Sequence, residues 1–242
     1  MQTKTPNIIK ITDKLGSPVT LEWYKVEDLD TCINLGKQIL PIYAKAFADN
    51  IMPLLDANFE IKKEFLELYG KVSIDFREKI DEQKELAFDR KNNRANRVES
   101  TKEYVLQMVD NGLVDSLINC KPVVVFAKDK ENKVLGFALF LRKYPDPSAI
   151  SGFPKNLVPA VNFTENNAVY LHHLAIVPEA QGRGLARFLI FSILDIMPEI
   201  NRIILDTDFW NTKSQAIYQK FGFNEIGRRP YDQVAIFEYI KK

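Results

Sequence analysis

The sequence predicts an α/β fold, a mixed sheet with a parallel element into which a helical insertion is set. Three observations predict it. The last third alternates strand, helix, strand, helix and strand, an order that needs a crossover connection and therefore a parallel pair. Two earlier regions read as hairpins, each a pair of β-rich segments joined by a short turn-forming link. Between them, residues 52–118 are highly charged and helix-prone, with glycine only at Gly70 and Gly112. The 242 residues suit one large domain, 1–242, with 52–118 inserted in it.

Taken in order, residues 7–12 and 18–24 pair around the link D-K-L-G-S. Asp28 or Asp30 can cap a helix reaching about residue 46, with Leu35, Ile39, Ile42 and Ala46 at helical spacing. Residues 54–118 hold 14 acidic and 11 basic side chains, which fits a solvated helical hairpin or small bundle and argues against a polyanion binder. Residues 122–128 and 134–142 form the second hairpin, joined by D-K-E-N-K. A polar, Pro-rich segment, 143–166, precedes a strand at 168–176. A helix at about 184–196, a strand at 202–208, a helix at about 212–221 and strands near 223–228 and 233–240 complete the chain.

Composition excludes several function classes. Thirty-three basic against 32 acidic residues leave a net charge of +1, so no global field draws the protein to nucleic acid or an anionic membrane. Cys32 and Cys120 are far apart and outside any C-x-x-C pattern, so neither a disulfide nor a metal site is expected. The N-terminus M-Q-T-K-T-P-N-I-I-K lacks the apolar core of a signal peptide. The apolar run 185–197 is interrupted by Arg187, Ser192 and Asp195 and does not read as a membrane span. A soluble, cytoplasmic protein is the expectation.

The most informative stretch is 170–187, Y-L-H-H-L-A-I-V-P-E-A-Q-G-R-G-L-A-R. A buried strand runs into a turn with two closely spaced glycines and then into a helix. The first turn of a helix leaves N–H groups unpaired and carries partial positive charge, so such a junction can hold phosphate. Gly182 and Gly184 let the backbone turn tightly and approach a ligand. No G-x-x-x-x-G-K-[ST] is present, and the glycines come too late for a dinucleotide-binding first turn.

At this point the chain resembles the GNAT superfamily of acyl-CoA-dependent N-acyltransferases. The family signature [Q/R]-x-x-G-x-[G/A] is met by Gln181, Gly184 and Ala186, after the L-A-I-V-P run usual for its fourth strand. A second family pattern follows in N-T-K-S-Q-A-I-Y-Q-K-F-G-F, with Asn211, Ser214, Ala216, Tyr218, Phe221, Gly222 and Phe223 in place. The resemblance covers 122–242 and extends to 18–50, but not 52–118, where the family has a much shorter helical connection. It implies a GNAT-type fold: a mixed, mostly antiparallel central sheet splayed at the fourth and fifth strands.

The resemblance also implies the chemistry: an amine attacks the thioester of acetyl-CoA in a ternary complex, and coenzyme A leaves as a thiol. The acceptor is an unidentified primary amine, on a small molecule, peptide or protein. Gln181, Gly182, Arg183, Gly184, Leu185 and Ala186 are implied to hold the pyrophosphate. Arg183 there either adds charge or simply faces solvent. Leu174 and Ile176 offer a strand edge to the pantetheine arm, with Asn211 and Ser214 beside it.

A lysine-like amine of pKa about 10.4 is neutral in only about one molecule in 2,500 at pH 7, so a base is expected. His172, His173 and Asp206 are the candidates. Adjacent residues of a strand point to opposite faces, and the resemblance, aligned on the Gln181 motif, implies that His172 and Tyr170 share the face that meets the acceptor, with His173 on the other. Tyr170 stands where many members carry glutamate. Tyr218 holds the family's general-acid position, against a plain reading as a core aromatic. The insertion is open to several roles: a lid over the acceptor, a homodimer surface, a partner dock or a decoration. The alternative function is a catalytically inactive acyl-CoA-binding or protein-interaction module of the same fold.

Overall fold

The computed structural model describes residues 7–47, 50–92, 122–142 and 167–241. The second part of the insertion, the 143–166 segment and Cys120 lie outside the described residues.

The chain opens with a hairpin of β1 (Asn7–Thr12) and β2 (Pro18–Lys25). Helix α1 (Leu29–Phe47) follows, and Asp28 caps it, its Oδ1 accepting from the Thr31 N–H at 2.7 Å. Leu35 and Ile42 are buried, while Ile39, Tyr43, Ala46 and Phe47 pack half-buried on the same core. Two single turns of 3₁₀ helix (Met52–Leu54 and Lys63–Phe65) lead to α2 (Leu66–Lys71) and α3 (Ile74–Lys91).

Strands β3 (Val123–Lys128) and β4 (Val134–Leu141) are buried almost throughout, as expected for central strands covered on both faces. Next come β5 (Ala168–Ile176), α4 (Leu185–Phe191), α5 (Ile193–Ile196), β6 (Arg202–Thr207), α6 (Thr212–Lys220), β7 (Asn224–Arg228) and β8 (Ala235–Ile240). The helix expected over 184–196 is thus two consecutive segments. They meet at Ser192, whose hydroxyl donates to the Leu189 carbonyl at 2.9 Å.

The eight strands of the described residues form one sheet in the order β1-β2-β3-β4-β5-β6-β8-β7. Every pairing is antiparallel except β5 with β6. That parallel pairing spans only Ala168–Leu171 against Arg202–Leu205. Beyond Leu171, β5 pairs with β4 alone, and Asp206 and Thr207 of β6 pair with β8 alone. The sheet therefore splays between β5 and β6, as the family resemblance implies. Gly136 of β4 allows close approach to β5: a Cβ there would lie 2.6 Å from the Ala175 carbonyl oxygen.

The main core joins α1, α4 and α5 to both hairpins and β5, β6 and β8, with Phe126, Phe137, Phe140 and Phe237 fully buried. Replacing Phe140 with alanine is expected to cost about 3–5 kcal/mol by leaving a cavity, measurable by denaturant unfolding.

A second cluster was not visible in the charge-rich insertion. Ile51, Leu54, Leu55, Phe65, Val72, Ile80 and Ala87 pack around Phe209 and Trp210, which follow β6. The described half of the insertion is thus seated beside the mouth of the splay and is more than a solvated bundle.

Candidate active site

The splay opens a cleft of about 1080 Å³, walled by α1, α3, β5, the turn before α4, the end of β6 and α6. Five residues of β5, His172–Ile176, run along it with no strand on their β6 side among the described residues. Leu174 and Ile176 both line the cleft. An extended, amide-bearing ligand can hydrogen-bond to that free edge as an added strand would.

The register of β5 changes where the strands part. Leu139 pairs with His173 and Phe140 with Leu171, so His172 is an extra, bulged residue. The expectation that His172 and His173 face opposite ways is corrected here, because alternation holds only for an unbroken pleat. Both rings turn into the cleft, with centroids 4.1 Å apart and planes 36° apart. Tyr170 lies 5.8 Å from His172, and Tyr43 lies 5.2 Å from His173. Burial pushes the His172 imidazole down to about 4. Burial, and then the neighbouring His172, hold His173 well below the usual histidine range. Both rings are neutral at pH 7, and His173 Nε2 is buried with no hydrogen-bond partner among the described residues.

After β5 a single 3₁₀ turn (Pro178–Ala180) leads to the glycine loop. Gly182 and Gly184 take left-handed φ of 80° and 82°, which is why this turn needs glycine. A Cβ on Gly182 would meet nothing within 4 Å, so the backbone there is bare toward the cleft, and a phosphate can approach its N–H groups. Gln181, Gly182, Gly184, Leu185 and Ala186 all line the cleft. The Arg183 side chain is engaged elsewhere. Its Nε donates to Asp13 Oδ2 at 2.6 Å, across 170 positions of sequence.

On the opposite wall, Asn211 caps α6, its Oδ1 accepting from the Ser214 N–H at 3.2 Å. Both residues line the cleft, and so does Tyr218 two turns along the helix. The Tyr218 ring is buried against Phe223 and Phe237, with centroids 5.9 and 6.0 Å away. Burial and then the charge of Asp206 push its phenol up, so it is fully protonated near neutral pH.

A carboxylate cluster occupies the end of β6. Arg229 grips Asp232 through Nε and a terminal nitrogen (2.9 and 2.7 Å) and reaches Asp206 at 3.3 Å. Asp206 is thus charge-paired. Asp208, which the sequence reading missed, is held differently: its Oδ2 accepts from Asn50 Nδ2 at 2.9 Å. Asn50 is fixed in turn by Trp210, whose Nε1 donates to the Asn50 carbonyl at 3.1 Å. Burial raises the Asp208 carboxyl most, the Asn50 hydrogen bond opposes this, and Asp206 and Asp232 add repulsion, leaving it at about 6. The signal in the sequence was the D-T-D at the end of the strand, which places Asp206 and Asp208 at alternate positions. Phe76, Ile80 and Gln83 of α3 complete this end, so the described part of the insertion supplies one wall.

The glycine loop, the β5 edge, the Tyr218 phenol and the carboxylates at the end of β6 thus share one cleft. A family model described as the Acetyltransferase (GNAT) family matches residues 87–223. Among solved structures, a GNAT-family acetyltransferase from Listeria monocytogenes 4b F2365 is 12% identical with a TM-score of 0.50, over 96% of this chain and 99% of that one. The GNAT domain of PAT from S. lividans is 13% identical with a TM-score of 0.47, over 96% of each chain. The PaiA N-acetyltransferase of Thermoplasma acidophilum, solved in complex with coenzyme A, is 15% identical with a TM-score of 0.44, over 91% of this chain and 98% of that one. At such identities the likeness is one of fold. No curated protein sequence matches this chain.

Proposed function

The chain belongs to the GNAT acetyltransferase family, and on that premise we propose that its cleft transfers an acetyl group from acetyl-CoA to a primary amine by direct attack in a ternary complex. The observation that carries this reading is the splay, which puts the glycine loop, the free β5 edge and Tyr218 on one cavity. The donor supplies an activated acyl thioester; every other demand falls on the chain. Backbone N–H groups of 181–186 hold the pyrophosphate, and the edge of β5 at Leu174 and Ile176 aligns the pantetheine amides. The Asn211 cap keeps α6, and with it Tyr218, fixed across from that edge.

The acceptor arrives as an ammonium, and making it neutral costs about 4.6 kcal/mol for a pKa of 10.4 at pH 7. Asp208 is the residue best matched to that proton. Burial pushes its carboxyl up to about 6, toward neutrality, whereas burial pushes His172 down to about 4, a poor acceptor, and Asp206 is committed to Arg229. Asp208 takes one proton from the ammonium, the neutral nitrogen attacks the acyl carbon, the carbon–sulfur bond breaks, and the Tyr218 hydroxyl gives a proton to the departing sulfur. The tyrosinate regains a proton from the acylated nitrogen, leaving a neutral amide, and Asp208 releases its proton to solvent. Asp206 then steadies the charge at Arg229, and the two neutral imidazoles line the reacting end without competing for protons.

Gly184→Glu tests the donor site. A side chain at this left-handed position is strained, and its charge repels phosphate. Calorimetric titration is expected to give binding of acetyl-CoA to the wild-type protein and none measurable to the variant. Equal binding by both would remove the glycine loop from the donor site.

A further inference from the structure

We infer that Lys14, carried into the cleft by the β1–β2 turn, neutralises the pyrophosphate of the bound donor, making the N-terminal hairpin a working part of the donor site. This rests on the acetyl-CoA reading above. The glycine loop contains one cation of its own, Arg183, and its charge is already spent. The Asp13 carboxylate that holds it has a side chain wholly shielded from solvent. Burial alone would raise the Asp13 carboxyl. Hydrogen bonds from Ser17, Arg183 and Leu15, with the Arg183 charge, more than offset that and hold it below the usual carboxylate range. The Asp13 carboxylate is thus favoured in its charged form against Arg183, and the pair brings no net positive charge to the loop.

The same pair brings Lys14 in. The Lys14 N–H donates to the Arg183 carbonyl at 3.0 Å, so the turn is fastened to the glycine loop through both backbone and side chain. The turn itself is rigid: Asp13 Oδ1 accepts from the N–H groups of Leu15 and Ser17, each at 2.9 Å. From there the Lys14 alkyl chain lies directly over Gly184. A Cβ on that glycine would sit 2.9 Å from Cγ, 3.0 Å from Cε and 3.1 Å from Cδ. Lys14 lines the cleft, and no carboxylate pairs with its ammonium among the described residues. An ammonium with no carboxylate partner among the described residues, carried along the glycine loop, is placed to meet a polyanion bound there. Asp13 and Arg183 act as positioning residues for it.

The test is calorimetric titration of the full chain and its Lys14→Ala and Lys14→Arg variants with coenzyme A, dephospho-coenzyme A and pantetheine. Lys14→Ala is expected to weaken coenzyme A and dephospho-coenzyme A alike, by about tenfold for one charge-assisted contact. The loss should shrink as salt is raised. Lys14→Arg should restore most of the affinity, and pantetheine, which has no phosphate, should bind all three proteins equally. Wild-type affinity in Lys14→Ala would overturn the inference. So would a loss confined to coenzyme A, which would move the contact to the 3′-phosphate. Failure of the wild-type chain to bind coenzyme A would instead overturn the reading on which the inference rests. Lys14 is exposed, so an unchanged thermal midpoint without ligand will show that the variants fold.

Discussion

Replacing Tyr218 with phenylalanine is expected to lower kcat by about 10²–10³ while moving the KM for acetyl-CoA by less than about threefold. The change removes one oxygen and leaves the ring against Phe223 and Phe237, so packing and the α6 cap are kept. What is lost is a proton donor. Burial and Asp206 push the phenol above its ordinary value, which keeps it protonated but makes it a weaker acid. Donation to a sulfur whose conjugate acid has pKa about 8.5 in water then needs the cleft to raise the sulfur too, as a desolvated site does for any anion. Steady-state kinetics at saturating acceptor checks this. A fall in kcat alone identifies an interaction made in the transition state, and a rise in KM alone would make Tyr218 a binding residue.

Asp208→Asn is expected to cost about 10²–10³ in kcat/KM and, unusually for a site variant, to stabilise the protein at neutral and alkaline pH. Asp208 is raised from 3.8 to about 6 in the fold. A group raised on folding contributes stability that is fully present below its unfolded value and lost as pH climbs through its folded one. Between pH 4 and 6 the native protein therefore gives up the advantage of a neutral carboxyl. Above that it carries a buried anion, at about 3 kcal/mol for a shift of about two units. Asparagine carries no charge and can still accept from Asn50. Thermal unfolding should show the variant equal to the wild type near pH 4 and more stable at pH 8. The wild-type acid limb near pH 6 should disappear from the residual activity of the variant. Asp206→Asn should behave oppositely in stability, because it breaks a charge pair with Arg229. Loss of activity with loss of stability in Asp208→Asn would mark that residue as structural.

The hairpins, the capped first helix, the strand–turn–helix at 168–191 and the motif helix at 212–220 were legible in the sequence, because each is set by local rules of alternation, capping and turn chemistry. The rest depends on neighbours distant in sequence. The bulge at His172 arises from the register of β4 against β5 and has no signature in H-H itself. Asp208 stands out only once Asn50 is brought beside it from 158 positions away and held there by the Trp210 indole. Arg183 reads as a phosphate ligand or a solvent-facing side chain in the sequence, whereas the fold sets it on Asp13, 170 positions away. The apolar residues of the insertion are spread too thinly among charges to announce a core, and they acquire one by packing on Phe209 and Trp210.

Acetyl transfer to an amine is tested by following both products of one reaction. Acetyl-CoA is incubated with the protein and a panel of primary amines spanning small molecules, peptide N-termini and lysine side chains, and both products are quantified. Acetyl transfer predicts, for at least one amine, acetylated product and free thiol in equal amounts, with both falling together in Tyr218→Phe. Thiol release no faster than background hydrolysis across the panel, from a protein that binds acetyl-CoA, would contradict it and leave an acyl-CoA-binding module in its place.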